Sequence, residues 1–539
     1  MIAYKKINTE VAVIGGGLTG TVAAFELAKA GYSVTIIRDG RGASPHVAGF
    51  NVAGAEAQDN ADTYIKDSLE SGGGQADPAL VELLCCGSTQ LPAYLDTIGF
   101  SFDTDENGNL KARKSLGSSF ARVVGKGNSS GAEILSLIDK ELKQNQNVRI
   151  LDNARALRLF RDGDRITGVL LFEKQTNQFS VLEAKNVLLT SGGYAGIFPF
   201  TSNSSDISGD TVAMALLVGA HASDMEFVQF EPSCAVWPPS LRGKGMITTL
   251  FYEGAVMTNA LGERFMFKHS PDGERVNKDV LARAIARELK EGRATEHGGV
   301  WFDTRGVDRE CMLSAYAPFV NRYKNVGIDL FSEPVEVANA AHTSLGGVKV
   351  NRKCETDIAG LYAAGEAIGN LHGANRIGGS AGTETLVFGR HAAESIKENG
   401  KSSAVSVKEE DIGKLFRRPG APIEDDRLKQ MRAEAKDLLG QYLGVEREEE
   451  GLKTAIKALE KLYKEVCSSS YGEQNATVFE QMSLENLLIT ALALAKSALL
   501  RDDSIGSHLR TDHTSPSENI YRTDVQIIGD EISVTKIHL

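Results

Sequence analysis

At 539 residues, with 42% apolar and 24% charged residues, the chain is too long for one compact core and too ordinary in composition for a disordered or fibrous protein. Two or three domains are expected. A formal charge of −12, from 59 Lys+Arg against 71 Asp+Glu, argues against nucleic acid or an anionic membrane surface as the main partner.

Val11-Ala12-Val13-Ile14 reads as a buried strand, and Gly15-Gly16-Gly17-Leu18-Thr19-Gly20 turns it into a helix predicted over 21–30, with Gly31 as its stop. A second buried strand follows at 33–37 and completes a β-α-β unit. Its glycine turn lies where a dinucleotide pyrophosphate meets a helix N-terminus. An acidic residue is wanted at the end of that second strand, yet the chain offers Arg38, with Asp39 one step later, so the ribose grip is atypical. Val187 to Tyr194 repeats the strand-into-glycine pattern, and Ser208-Gly209-Asp210 opens a helix over 211–219 with its acid at the N-terminus.

The nucleotide-binding domain pauses near Gln229 and resumes at Gly346. The hundred or so residues between hold strand-like runs and an amphipathic helix over 277–290, a composition that suits a compact lid. Near Gly360 to Gly379 a carboxylate, Glu366, and an arginine, Arg376, stand beside Gly-rich backbone, which suits a ribose and a substrate anion. After Lys401 come charged helices over 423–443 and 449–466 and an apolar helix over 484–500, then two strand-like pieces around Gly529-Asp530 that predict a hairpin. No apolar run is read as reaching the roughly 18 to 20 residues of a spanning helix. The opening Met1-Ile2-Ala3-Tyr4-Lys5-Lys6 enters a strand without a signal-peptide core, so a cytoplasmic chain without an integral membrane segment is expected. None of the six cysteines forms a Cys-x-x-Cys pair, so no metal ligand is assigned and any iron–sulfur cluster is expected on another subunit.

These motifs, with Met225 to Phe230, Gly262 to Met266, Asp279 to Arg283, His342, the run from 360 to 390 and Gly506 to Asp512, resemble the flavoprotein subunit of the succinate dehydrogenase/fumarate reductase family. Its relatives include L-aspartate oxidase and adenylylsulfate reductase. The resemblance covers nearly the whole chain. It implies an α/β fold: a discontinuous Rossmann-like FAD-binding domain (1–233 and 344–402), an inserted α+β capping domain (234–343), a C-terminal helical domain (403–505) and a tail (506–539). It implies FAD held by Gly15, Gly17, Thr19, Gly20, Arg38, Asn51, Ser191, Gly192, Asp210, Glu366, Ser380 and Ala381, with Glu366 as the ribose acid and Asp210 on the adenosine half. His46 lies five residues before Asn51, the interval between the family's flavin-linked histidine and a glutamine. Its neighbours Pro45 and Val47 do not match, so a noncovalent histidine is preferred to a His–FAD bond.

The family clamps a substrate carboxylate between a histidine and an arginine, here His342 and Arg376, a pairing that suits a planar guanidinium and an imidazole donor. Three positions depart from the dicarboxylate pattern. Glu231 stands where those enzymes have histidine, Lys278 where they have the proton-exchanging arginine, and Phe251, before Glu253, where they have a relay arginine. An ionised Glu231 would repel a second carboxylate by several kcal/mol. It could instead receive an amine, amide or hydroxyl, be protonated by burial and donate, or turn away into a salt bridge. Lys278 is either a proton shuttle, with Glu253 as its relay, or a cation at a helix start beside Asp279. The glutamate that aspartate oxidases place near the substrate amine aligns with Ser115.

The expected activity is FAD-dependent oxidation or reduction at a CH–CH or CH–NH bond of a small carboxylate, by hydride transfer at flavin N5. The rival expectations are a fumarate reductase or succinate dehydrogenase proper, an L-aspartate oxidase, and an electron-transfer flavoprotein subunit without this chemistry. Electrons would pass to oxygen, to an iron–sulfur subunit or to another carrier.

Overall fold

The computed structural model describes residues 3–115, 117–127, 129–276, 278–314, 316–400, 405–515 and 519–539. Asn277, where the sequence places the start of the lid helix, and the boundary expected at 402/403 lie outside these residues.

The chain opens with β1 (Tyr4–Ile14), α1 (Leu18–Lys29) and β2 (Val34–Arg38). The second half of β1 is wholly buried, as its apolar run requires. The helix starts three residues earlier than expected, because the turn between strand and helix is only Gly15, Gly16 and Gly17. Gly15 has φ +124°, and a Cβ there would stand 2.3 Å from the Thr190 carbonyl oxygen. Only glycine meets both demands.

Strands β3 (Val148–Asp152), β4 (Ala154–Asp162), β5 (Arg165–Glu173) and β6 (Gln178–Leu189) complete most of a seven-stranded sheet ordered β3-β2-β1-β6-β5-β4. The long β6 explains its seventh member. Its first half pairs antiparallel with β5, and its last three residues pair in parallel with Leu361–Ala363, which returns after the inserted region. The carboxyl ends of β1, β2, β6 and the returning strand therefore converge on one edge, the position where open α/β sheets bind ligands.

The insertion carries its own antiparallel sheet. Strand β7 (Val228–Ala235) lies at its edge, followed in sequence by β8 (Val256–Thr258), then helix α2 (Lys278–Lys290), β9 (Val300–Asp303) and β10 (Val335–Ser344). Their spatial order is β7-β10-β9-β8, and α2 packs on β7 and β10. Just before β7, the buried Glu226 is ion-paired with the buried Arg501 (2.5 Å) and accepts from Thr523 Oγ1 (2.7 Å), which anchors the lid's root to the C-terminal region.

Helices α3 (Ser380–Glu398), α4 (Asp425–Tyr442), α5 (Glu449–Cys467) and α6 (Asn475–Leu500) follow, and the predicted hairpin forms from Tyr521–Ile528 and Glu531–His538. The expectation that no segment has the length of a spanning helix is corrected here. Helix α6 is 26 residues, long and apolar enough by length and composition to cross a membrane, but 83% of its apolar 18-residue window is buried inside the protein. A helix that is apolar on all sides belongs in a core, and α6 packs against α4, α5 and the sheet region.

Candidate active site

A long cleft follows the converging strand ends. It is lined by Gly15, Gly16, Gly17 and Thr19 of the glycine turn, by Asp39, Arg155, Ser191, Gly192 and Asp210, and by Glu366 and Ala381 of the returning segment. Helix α1 begins at this cleft; Gly17 before it has no side chain to cap it, and although Ser44 Oγ accepts from the Leu18 amide (2.9 Å), the positive dipole end of the helix still faces an incoming anion. Gly20 lies one turn inside α1 and allows close packing, since a Cβ there would be 2.2 Å from the Gly15 carbonyl oxygen.

Not every expected cofactor residue faces the cleft. Arg38 turns away into ion pairs with Asp152 and Asp139, and Asp39 lines the cleft in its stead. His46 ends the short helix Ser44–His46 and is exposed, facing Lys244 and Arg322 of the inserted region; burial and these two cations hold its pKa below the usual histidine range. Asn51 is buried and donates to the Gly378 carbonyl (2.9 Å) and Ser380 Oγ (3.1 Å), so Asn51 and Ser380 together hold the start of α3.

Asp210 accepts from Arg155 Nε (2.7 Å) and Asn486 Nδ2 (2.8 Å), which ties the cleft to helix α6. Arg155 also lies 3.5 Å from Asp39. No motif announced Arg155, because it reaches the cleft from β4, a strand outside the glycine motifs that mark the cofactor site. Glu366 accepts from the Ser344 amide (3.0 Å), and burial pushes its pKa up to about 7.

The second site lies where the inserted sheet meets the returning segment. The β7–β10 ladder is irregular at the residues of interest. Phe230 faces Ala341 and Gln229 faces Thr343, so His342 is the extra residue of a β-bulge, and a second shift follows Glu231. Bulges re-aim side chains beside functional sites.

Arg376 is buried. It donates Nη2 to Gln229 Oε1 (3.0 Å) and Nη1 to the Ile377 carbonyl (3.3 Å), while its Nε finds no hydrogen-bond partner among the described residues. Burial lowers its pKa against the pull of Glu384, Glu366 and Glu231. His342 Nδ1 is 2.8 Å from Ser202 Oγ, and burial lowers its pKa to about 4, with Glu231 opposing and Lys278 and Arg376 reinforcing the shift. The ring is neutral at physiological pH.

Lys278, at the first turn of α2, donates to Glu231 Oε2 at 2.5 Å, and Ser233 Oγ donates to Glu231 Oε1 at 3.2 Å. Burial favours the neutral acid, but the Lys278 charge, with the hydrogen bonds from Lys278 and Ser233, outweighs it and holds the Glu231 carboxyl below its usual range. Of the alternatives open for Glu231, the structure displays the ionised, salt-bridged one, and its partner is the other departing residue.

Glu253 is not brought to this site. It is exposed at the end of the short helix Thr248–Glu253, where burial and its negative charge raise the Cys311 thiol pKa. Phe251 packs on Phe302 in the lid core (ring centroids 4.8 Å apart). Ser115 lies against Gly378, 3.2 Å from where a Cβ would be, two residues from Arg376.

A glycine-turn cleft at the strand ends of a mixed sheet, with an inserted sheet that brings Arg376, His342, Glu231 and Lys278 together at the seam, has the arrangement of a dinucleotide-dependent flavoprotein oxidoreductase. The "FAD binding domain" profile matches residues 10–381, and "Fumarate reductase flavoprotein C-term" matches 432–535. A fumarate reductase (CoM/CoB) subunit of Methanothermobacter marburgensis is 32% identical over 515 residues, 93% of this chain and 94% of that protein. L-aspartate oxidase of Saccharolobus solfataricus is 32% identical over 509 residues, 94% of this chain and 96% of that one. Among solved structures, Mycobacterium smegmatis Sdh1 in complex with UQ1 matches with a TM-score of 0.88 at 26% identity, covering 99% of this chain and 94% of that one. The chain belongs to the succinate dehydrogenase/fumarate reductase flavoprotein family, is an FAD-dependent oxidoreductase and uses FAD as its cofactor. The cleft fits that group: the N-terminal end of α1 and its glycine turn suit the pyrophosphate, and Glu366 suits a ribose hydroxyl.

Proposed function

We propose that the substrate is a small carboxylate whose CH–CH or CH–NH bond is oxidised or reduced, with one carboxylate held by Arg376 and His342. The observation that carries this is the Lys278–Glu231 ion pair. Lys278 and Glu231 neutralise one another and His342 is neutral, so of these four residues Arg376 is the cation without an ion-pair partner among the described residues. One substrate anion balances it. A second carboxylate at hydrogen-bond range from Glu231 would meet an ionised acid.

Bound FAD supplies two-electron exchange with the substrate carbon. Arg376 offers a guanidinium whose Nε is unpaired among the described residues, and the rigid link through Gln229 fixes its plane. The Lys278 ammonium holds the proton exchanged at the neighbouring carbon. Glu231, hydrogen-bonded to Lys278 Nζ, takes the relay role expected of Glu253, because a proton moves only between groups in contact.

A dicarboxylate or amino-dicarboxylate substrate is the second reading, favoured by the 32% identity to two proteins, one described as part of a fumarate reductase and the other as an L-aspartate oxidase. A panel of enoates, fumarate and aspartate, assayed with a reduced dye as donor or an artificial acceptor, separates the two; strong turnover of fumarate defeats the first. The electron partner is inferred to be a separate iron–sulfur protein or another carrier, since the chain has no Cys-x-x-Cys motif and its Methanothermobacter relative is described as one subunit of its enzyme. Copurification from the native source tests that.

A further inference from the structure

His342 can serve a carboxylate only in one of its two neutral tautomers. With the proton on Nε2 the ring donates to the anion; with the proton on Nδ1 it presents a lone pair to that anion and repels it. The backbone does not select between them. His342 is the extra residue of a bulge, so its ring direction is not dictated by ladder pairing with β7.

We propose that Ser202 is a positioning residue that fixes His342 as the Nε2–H tautomer. Ser202 Oγ lies 2.8 Å from His342 Nδ1. The other acceptor within its reach among the described residues is the Ala341 carbonyl, at 3.4 Å. That carbonyl already accepts from the Ser202 amide (3.0 Å) and from Thr201 Oγ1 (2.8 Å), and a carbonyl oxygen has two lone pairs. The Ser202 hydroxyl proton therefore goes to Nδ1. Nδ1 is then an acceptor, and in a neutral ring the proton sits on Nε2.

The segment carrying Ser202 is itself held still. The Ala341 amide donates to the Phe200 carbonyl (3.0 Å), and Asn203 Nδ2 donates to the His342 carbonyl (2.8 Å). From the lid side, Arg242 stacks over Phe200 (4.5 Å to the centroid), and Gly243 packs so tightly on Thr201 that a Cβ would lie 2.4 Å from its carbonyl oxygen. The groups that face the ring across the site are Glu231, Lys278 and Arg376, and burial keeps the ring neutral among them. This inference rests on the reading of His342 as a carboxylate ligand.

The test uses the FAD-loaded full chain and crotonate, an enoate with a single carboxylate, as the probe. In Ser202→Ala the dissociation constant for crotonate, followed by flavin absorbance, is expected to rise about tenfold, the loss of a hydrogen bond to a charged group. Ser202→Thr restores it. In ¹⁵N-histidine-labelled protein the His342 resonance, assigned by its absence in His342→Asn, reports Nε2–H at pH 7 and moves toward a mixed tautomer in Ser202→Ala. An Nδ1–H signal in the unmodified protein, or a tautomer unmoved by Ser202→Ala, overturns the Ser202 assignment whatever the substrate. A tautomer that moves while crotonate binding stays constant in both Ser202→Ala and His342→Asn supports Ser202's control of the ring and overturns the carboxylate reading instead.

Discussion

Removing Lys278 should destabilise the protein through Glu231 rather than through lost contacts of its own. Two unit charges about 4 Å apart interact by about 4 kcal/mol at an effective dielectric near 20. The Lys278 side chain is 37% exposed, so solvent screening reduces that to roughly 2 kcal/mol. Glu231 is only 10% exposed and keeps a single neutral donor, Ser233, once the ammonium is gone. Lys278→Met is therefore expected to lose about 2 to 3 kcal/mol, because it strands a buried carboxylate. Glu231→Gln is expected to lose about 1 kcal/mol, since the freed ammonium can turn to water. The double variant should lose little more than Glu231→Gln alone, giving a coupling near 2 kcal/mol. Urea unfolding of the four FAD-loaded proteins at pH 7 measures the cycle. A coupling below about 0.5 kcal/mol would refute the ion pair as the reason these two residues occur together, and full turnover in Lys278→Met would refute its proton role.

Glu231→His combined with Lys278→Arg removes the anion facing the second substituent and should raise fumarate turnover at least about tenfold relative to crotonate, measured as kcat/KM with a reduced dye. For Glu366, a folded pKa of about 7 lies above the unfolded value, so the neutral acid's stabilisation is present at pH 4.5 and lost as the pH rises through 7. FAD-free Glu366→Gln should thus gain up to about 3 kcal/mol over the parent at pH 8 and nothing at pH 4.5, while binding FAD more weakly; equal melting curves at pH 8 would contradict the burial argument. His342 has the opposite sense: with a folded pKa of about 4, stability is lost as the pH falls from 6.5 to 4, and His342→Gln should flatten that acid limb in thermal melts. Gly20→Ala should abolish FAD retention, read from the flavin absorbance of purified protein, because its methyl would sit 2.2 Å from the Gly15 carbonyl oxygen.

The β-α-β unit, the hairpin at Gly529-Asp530 and the helices after residue 420 were legible because each follows from local periodicity and turn chemistry. Errors arose where tertiary burial overrides composition, as in α6, whose apolar stretch continues N-terminal to residue 484 because the surrounding helices cover it. Among cofactor residues, those within glycine motifs line the cleft, whereas Arg38 finds Asp152 and Asp139 from distant elements and leaves the cleft to Asp39. Arg155, Asp206 and Ser44 line it although no motif names them, the last two only flanking signals at Ser208-Gly209-Asp210 and His46.

By itself the sequence determined the β-α-β dinucleotide unit and the local elements, because periodicity and glycine turns are written in neighbouring positions, and its resemblance to the family supplied FAD, the domain order and the unusual residues Glu231 and Lys278. It left their meaning open, since the charge state of a carboxylate depends on what lies within a few ångströms and not on what precedes it in the chain. The tertiary structure decided that Glu231 and Lys278 are one ion pair across 47 positions, that Glu253 lies elsewhere, and that a bulge and Ser202 together aim His342. Those are contacts between segments that only folding brings together.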